Sequence, residues 1–324
     1  MTTTVSTNPV LSLGELLQQQ PAPQPCLIEP GLLPPQGILF VGGEPKVGKS
    51  LLVANLALSL AAGSSRAGFE VSAPCRVLIC QFELPVAQFV GRLADMRTAL
   101  GADADHNLFV DTRSPGHLLS APQGLNHFLS AARAAAAEVI VLDPLYSAHD
   151  QDENDTRAMA ALCQSLLRLR DLAKAALVVV HHVRKSISRY EIGSAFRGSS
   201  ALHAVGDSYM LLTRPSLQLN TVELRFQFRY AASPQPRLLE LDPNTLWFSA
   251  TGQRPAYPAS RKKVESADVK RALAGIGPQA RYNEPRHRIM NLAECSKRTA
   301  QLAIAQACQD GLIVQDNGHY RLAL

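Results

Sequence analysis

The stretch Gly42 to Ser50, GGEPKVGKS, constrains this chain more than any other. It lies between the apolar run Gly37-Ile38-Leu39-Phe40-Val41 and the helical pattern Leu51-Leu52-Val53-Ala54-Asn55-Leu56-Ala57-Leu58. Counted from Gly43, it satisfies G-x-x-x-x-G-K-[ST], with Gly48, Lys49 and Ser50 in the fixed places. Strand, glycine-rich turn and helix is the context that such a loop requires. Backbone N–H groups at a helix N-terminus face an anion there, and the helix dipole favours its negative charge. Gly43, Glu44, Pro45, Lys46, Val47, Gly48, Lys49, Ser50 and Leu51 are therefore expected to surround the phosphates of ATP. Lys49 would reach the β- and γ-phosphates, and the Ser50 hydroxyl would ligate Mg²⁺.

Beyond this loop, strands alternate with helices, which predicts an α/β fold with a mainly parallel sheet flanked by helices. Arg76 to Phe82 reads as a buried strand ending in Glu83, followed by a helix over Val86 to Leu100. A short strand over Leu108 to Asp111 precedes a helix over Gly124 to Ala137. Val139 to Leu142 is a strand ending in Asp143, Thr156 to Ala175 a helix, and Ala176 to Val180 a strand ending in His181 and His182. Polar residues at successive strand ends match the rule that ligands bind at the carboxyl edge of an open α/β sheet. Antiparallel strands are then expected over Ser208 to Thr213, Thr221 to Tyr230 and Arg237 to Leu241.

Three strand ends carry candidate chemistry. Asp143, after four apolar residues, has the Walker B arrangement, in which the carboxylate holds the Mg²⁺ shell. Glu83 is placed to accept a proton from a water aimed at the γ-phosphate. Its other reading is a helix-start carboxylate that complements the dipole of the next helix. Pro144, Leu145 and Tyr146 follow Asp143, so an acidic base must come from elsewhere, which favours Glu83. His181 or His182 could hydrogen-bond the γ-phosphate and report its loss to the next loop.

The phosphate loop, Glu83, Asp143, the pair His181-His182 and the segment Arg197-Gly198-Ser199-Ser200 together resemble the RecA-type ATPases. The resemblance is nearest to the RepA-like hexameric helicases of plasmids, relatives of the DnaB replicative helicase core, and covers about Leu32 to Leu241. It implies a homo-hexameric ring with ATP at subunit interfaces and single-stranded DNA threaded through basic central loops. It also implies catalytic roles for Lys49, Glu83 and His182, Mg²⁺ at Ser50 and Asp143, and DNA contacts from Arg184, Lys185, Arg189 and Arg197. In such plasmid helicases an arginine ten positions after the RGSS arginine reaches the neighbour's ATP. Here that position is Asp207, which leaves another cation such as Arg229 as the finger, or a weak hydrolase.

The charge distribution points to a second activity. The chain has 324 residues and a net charge of +5, and the 11 Lys and Arg against 6 Asp and Glu after position 260 account for all of that excess. This basic segment reads as a helix over Ala267 to Ala274, a short helix over Ile289 to Ala293, a helix opened by Ser296 and running to Gln309, and a hairpin around Asn317-Gly318, the order of a winged helix-turn-helix. Lys297 and Arg298 fall at the start of the candidate recognition helix, where duplex DNA is contacted. The other use of such a domain is protein contact or capping of the ring. The expected organisation is an N-terminal arm over 1–30, an ATPase domain over 31–250, a linker over 251–263 and a winged helix over 264–324. The sequence shows neither a membrane-length apolar run nor a secretory signal, and its six cysteines lack metal-ligand spacing, so a cytoplasmic protein with reduced thiols is expected. Three functions fit: a DNA helicase, a DNA-binding ATPase that loads partners without unwinding, and a nucleotide-gated regulator.

Overall fold

The structure is a computed structural model that describes residues 10–18, 24–183, 192, 196, 200–215, 220–255, 264, 266–274, 280–281, 283–292, 297–316 and 319–323. The chain forms two compact units, Met1–Pro255 and Ala256–Leu324. The first contains α1 (Leu13–Gln18), β1 (Ile28–Glu29), β2 (Ile38–Gly43), α2 (Lys49–Ala62), β3 (Glu70–Val71), β4 (Val77–Gln81), α3 (Val86–Leu100) and β5 (Leu108–Asp111). It continues with α4 (Pro122–Ala135), β6 (Val139–Asp143), α5 (Thr156–Ala173), β7 (Ala176–His182), α6 (Ser200–Val205), β8 (Ser208–Thr213), β9 (Thr221–Phe228), β10 (Arg237–Leu241) and β11 (Phe248–Ala250).

Among the described residues the central sheet has nine strands in the order β11-β10-β9-β8-β2-β7-β6-β4-β5. Pairings from β8 across to β5 are parallel, and β8 to β11 continue as an antiparallel meander. The parallel strands are apolar at nearly every position because both faces are covered. Leu39, Val41, Val139, Val141, Val178 and Val180 join one core, built with α2 and α3. Ile38, Phe40, Ile140, Leu142, Leu177 and Val179 join the other, built with α4 and α5. Phe40 is fully buried, with Tyr209 stacked at 5.7 Å and Phe196 edge-on at 6.3 Å. Truncating it to alanine is expected to cost about 3–5 kcal/mol.

Register brings the polar strand ends together. Gly43 lies opposite His182 across β2 and β7, and Gln81 opposite Asp143 across β4 and β6. β7 runs through both histidines instead of stopping at Val180, since pairing with the Gly42-Gly43 backbone continues the ladder. Asp207 is not at the site. Its buried carboxylate accepts from the Ile38 N–H at 2.9 Å and from Arg229 at 3.2 Å, which ties β2 to the start of β8.

The second unit contains α7 (Ser266–Ala274), β12 (Ala280–Arg281), α8 (Asn283–Leu292), α9 (Lys297–Gln309), β13 (Ile313–Asp316) and β14 (His319–Leu322). Its strands form an antiparallel sheet in the order β12-β14-β13. Val269, Leu273, Ile289, Ile304, Ile313 and Tyr320 supply its core. α8 starts at Asn283, six positions before the expected Ile289. Pro285 is tolerated in its first turn, where a missing N–H costs nothing. None of the described helices is long and apolar enough to cross a membrane.

Candidate active site

The loop between β2 and α2 is shaped by backbone that only glycine takes readily. Gly48 has φ +108°, and a Cβ on Gly43 would lie 2.7 Å from the Leu212 carbonyl oxygen. Lys49 follows at the start of α2 and is almost fully buried. Its ammonium donates to the Gly43 carbonyl at 2.9 Å, to the Glu44 carbonyl at 3.0 Å and to His182 Nδ1 at 3.1 Å. An ammonium has no acceptor capacity, so Nδ1 must accept and the proton of His182 sits on Nε2. That N–H is left to donate to an incoming phosphate.

Burial sets the electrostatics. Lys49 is lowered to about 8, chiefly by desolvation and against the attraction of Asp143 and Glu83. Desolvation likewise lowers His182, and Lys49 beside it adds to the effect, which keeps the imidazole neutral. Asp143 is raised to about 6 by burial and by the Glu83 charge, while the Ser50 hydrogen bond, Lys49 and Arg92 act in the opposite sense. Ser50 Oγ donates to Asp143 Oδ1 at 3.0 Å. A buried carboxylate and a hydroxyl this close form a hard oxygen pair suited to Mg²⁺, and the desolvation of Asp143 is the strain a divalent cation would relieve.

Lys46, Lys49, Ser50, Glu83, Asp143 and His182 line one cleft of about 450 Å³. Glu83 stands in the turn between β4 and α3 and is exposed. The cleft also contains Gln81 and Arg92, which the strand-end pattern does not single out. Arg92 follows Phe89 by three residues on α3 and is exposed, so the apolar pattern of the helix carries no signal for it.

Other expected residues lie elsewhere. His181 alternates to the opposite face of β7, 6.3 Å from Phe196, and burial pushes it down to about 4, so it is neutral and away from the cleft. Arg229 falls just past β9 and is bound within its own chain, to Asp207 and to the Ala204 carbonyl at 2.9 Å. Arg184, Lys185, Arg189 and Arg197 lie outside the described residues. Lys297 and Arg298 are exposed at the start of α9 in the second unit.

Comparison with known proteins agrees with this architecture. No curated protein matches the chain. A solved ATPase domain superposes with a TM-score of 0.51 at 13% identity, covering 66% of this chain and 84% of that one. A DnaB-like replicative helicase, solved with its interactions with primase, superposes with a TM-score of 0.52 at 14% identity. That alignment covers 66% of this chain and 59% of the helicase, so the chain spans less than two thirds of it. These similarities establish a shared fold. A family model described as AAA domain matches residues 4–187, more than half of the length and including the loop, Glu83, Asp143 and both strand-end histidines, and the chain belongs to that AAA domain family.

Proposed function

We propose that the protein is a Mg²⁺-dependent ATPase of the replicative-helicase type that assembles as a homo-hexameric ring and acts on DNA, as in a plasmid or other mobile element. The observation that carries this reading is the convergence of Lys49, Ser50, Glu83, Asp143 and His182 on one cleft at the carboxyl edge of the sheet. Ser50 and Asp143 would hold the magnesium ion, whose contribution is to neutralise charge on the phosphate oxygens. Lys49 exchanges its own loop's carbonyls for the phosphates. Glu83 takes the proton of the attacking water as the water oxygen bonds to the γ-phosphorus and the bond to the bridging oxygen breaks. His182 donates from Nε2 to the γ-phosphate and loses that partner when phosphate leaves.

Supply of a cation from a neighbouring subunit is worth roughly 10³–10⁵ in rate for such enzymes, so isolated chains would turn over slowly. Arg229 is the proposed finger, and reaching a neighbour would require it to leave Asp207. Arg184, Lys185, Arg189 and Arg197 are the proposed contacts to single-stranded DNA. The second unit, three helices with a three-stranded antiparallel sheet, supports a winged helix with Lys297 and Arg298 toward duplex DNA. This appended unit also favours a second reading, an ATPase that loads partners on duplex DNA without unwinding it. Strand displacement on a forked duplex separates the two. ATP-dependent displacement by the wild type and none by Lys49→Ala supports the helicase, whereas DNA-stimulated hydrolysis without displacement supports the loader.

A further inference from the structure

The end of the first unit is tied to the phosphate loop by a set of buried contacts that the proposed chemistry does not use. Asn55, inside α2 and 2% exposed, spends both ends of its amide on one turn. Its Nδ2 donates to the Leu246 carbonyl at 3.1 Å, and its Oδ1 accepts from the Phe248 N–H at 2.9 Å. The indole N–H of Trp247 donates to the Met96 carbonyl of α3 at 2.7 Å. The Phe248 ring closes the back of the phosphate loop, and a Cβ placed on Gly48 would lie 3.0 Å from it. Leu246 is held at φ +57°, a conformation that a leucine keeps only when its surroundings impose it.

These contacts reach both walls of the cleft. Gly48 and Asn55 belong to the loop and helix that would hold the phosphates, and Met96 lies one turn beyond Arg92 on α3. In the present structure the Lys49 ammonium is held by the carbonyls of Gly43 and Glu44, so phosphate capture breaks contacts within the loop, and the Phe248 ring stands behind it. β11, which begins at Phe248, is the last strand of the first unit before the stretch that joins the second.

We infer that the Trp247–Phe248 turn is a nucleotide-responsive strap, which moves with the phosphate loop and passes occupancy of the site to the end of the first unit. This rests on the ATP-binding reading above. Coupling between the strap and the site is reciprocal in direction, so if nucleotide tightens the strap, loosening the strap weakens nucleotide binding. Trp247 is the chain's single tryptophan, it is buried, and the Arg66 guanidinium lies 5.0 Å from its ring centroid, so its emission reports the strap directly.

The test is a titration of the full chain with AMP-PNP and Mg²⁺, followed by tryptophan emission and, independently, by calorimetry. A saturable emission change with the calorimetric midpoint is expected, and Phe248→Leu, which keeps most of the apolar volume, should lower nucleotide affinity about tenfold. Calorimetric binding with unchanged emission overturns the strap and leaves the ATP site standing. Wild-type affinity in folded Phe248→Leu also overturns it. Absence of any binding overturns the ATP reading and the strap with it. Should Phe248→Leu fail to fold, the wild-type emission titration decides alone.

Discussion

Replacing Asp143 by asparagine should stabilise the nucleotide-free protein while removing its turnover. The carboxyl is raised from 3.8 to about 6, chiefly by burial, so between those values the folded chain keeps a proton that the unfolded chain releases. Stability therefore falls as pH rises through that window, and the full penalty stands above about pH 6. At 1.36 kcal/mol per pH unit, a shift of this size is worth about 3 kcal/mol at pH 8 and about half of that at pH 5. The attraction between Asp143 and Lys49 is already contained in that shift, so the net gain expected at pH 8 stays at about 3 kcal/mol. Asparagine can still accept the Ser50 hydroxyl, so the hydrogen bond need not be lost. The assay is urea unfolding of wild type and Asp143→Asn at pH 5 and pH 8 in chelator without nucleotide. Equal or lower stability of the variant at pH 8, or a gain that fails to shrink at pH 5, would refute the electrostatic account of this carboxylate.

Three further outcomes are expected. Glu83→Gln should bind ATP like the wild type and lose turnover by about 10²–10⁴, measured by calorimetry and phosphate release; unchanged turnover would remove Glu83 as the base. Arg229→Ala leaves the buried Asp207 without its guanidinium partner, and since Arg229 is 46% exposed the cost in urea unfolding should be only about 1–2 kcal/mol. As the proposed finger, Arg229 should on loss also lower DNA-stimulated turnover by about 10³ or more, and unchanged turnover would remove it from that role. Lys297→Ala and Arg298→Ala should each flatten the salt dependence of duplex binding by about one charge; an unchanged slope would take α9 off the duplex.

Much of the first unit's sheet was legible because a parallel strand buried on both faces leaves an unbroken apolar run, as in Val139-Ile140-Val141-Leu142. β1, β3 and β12 have two residues each and carry no readable period. α8 was legible only in its second half because its first turns, Asn283 to Arg288, are polar apart from Pro285. In the site, residues fixed by backbone geometry were readable: Gly48 by its left-handed turn, Lys49 and Ser50 by their spacing from it. Choosing between His181 and His182 needed the pleat, since adjacent strand residues face opposite sides and only register with Gly43 decides which faces the loop. Arg229 illustrates the limit, because its pairing with Asp207 joins positions 22 apart in sequence and depends on how β9 folds back beside β8.

The proposed function is that of an ATPase completed by its neighbours and driven by DNA. It is tested most directly by measuring turnover per chain across protein concentration, with Mg²⁺ and ATP, without DNA and with single-stranded or duplex DNA, alongside the particle mass in the same solutions. The account predicts turnover per chain that rises as the mass moves from one chain to six and that increases again with single-stranded DNA. Turnover independent of concentration, from a single chain and indifferent to DNA, would contradict it.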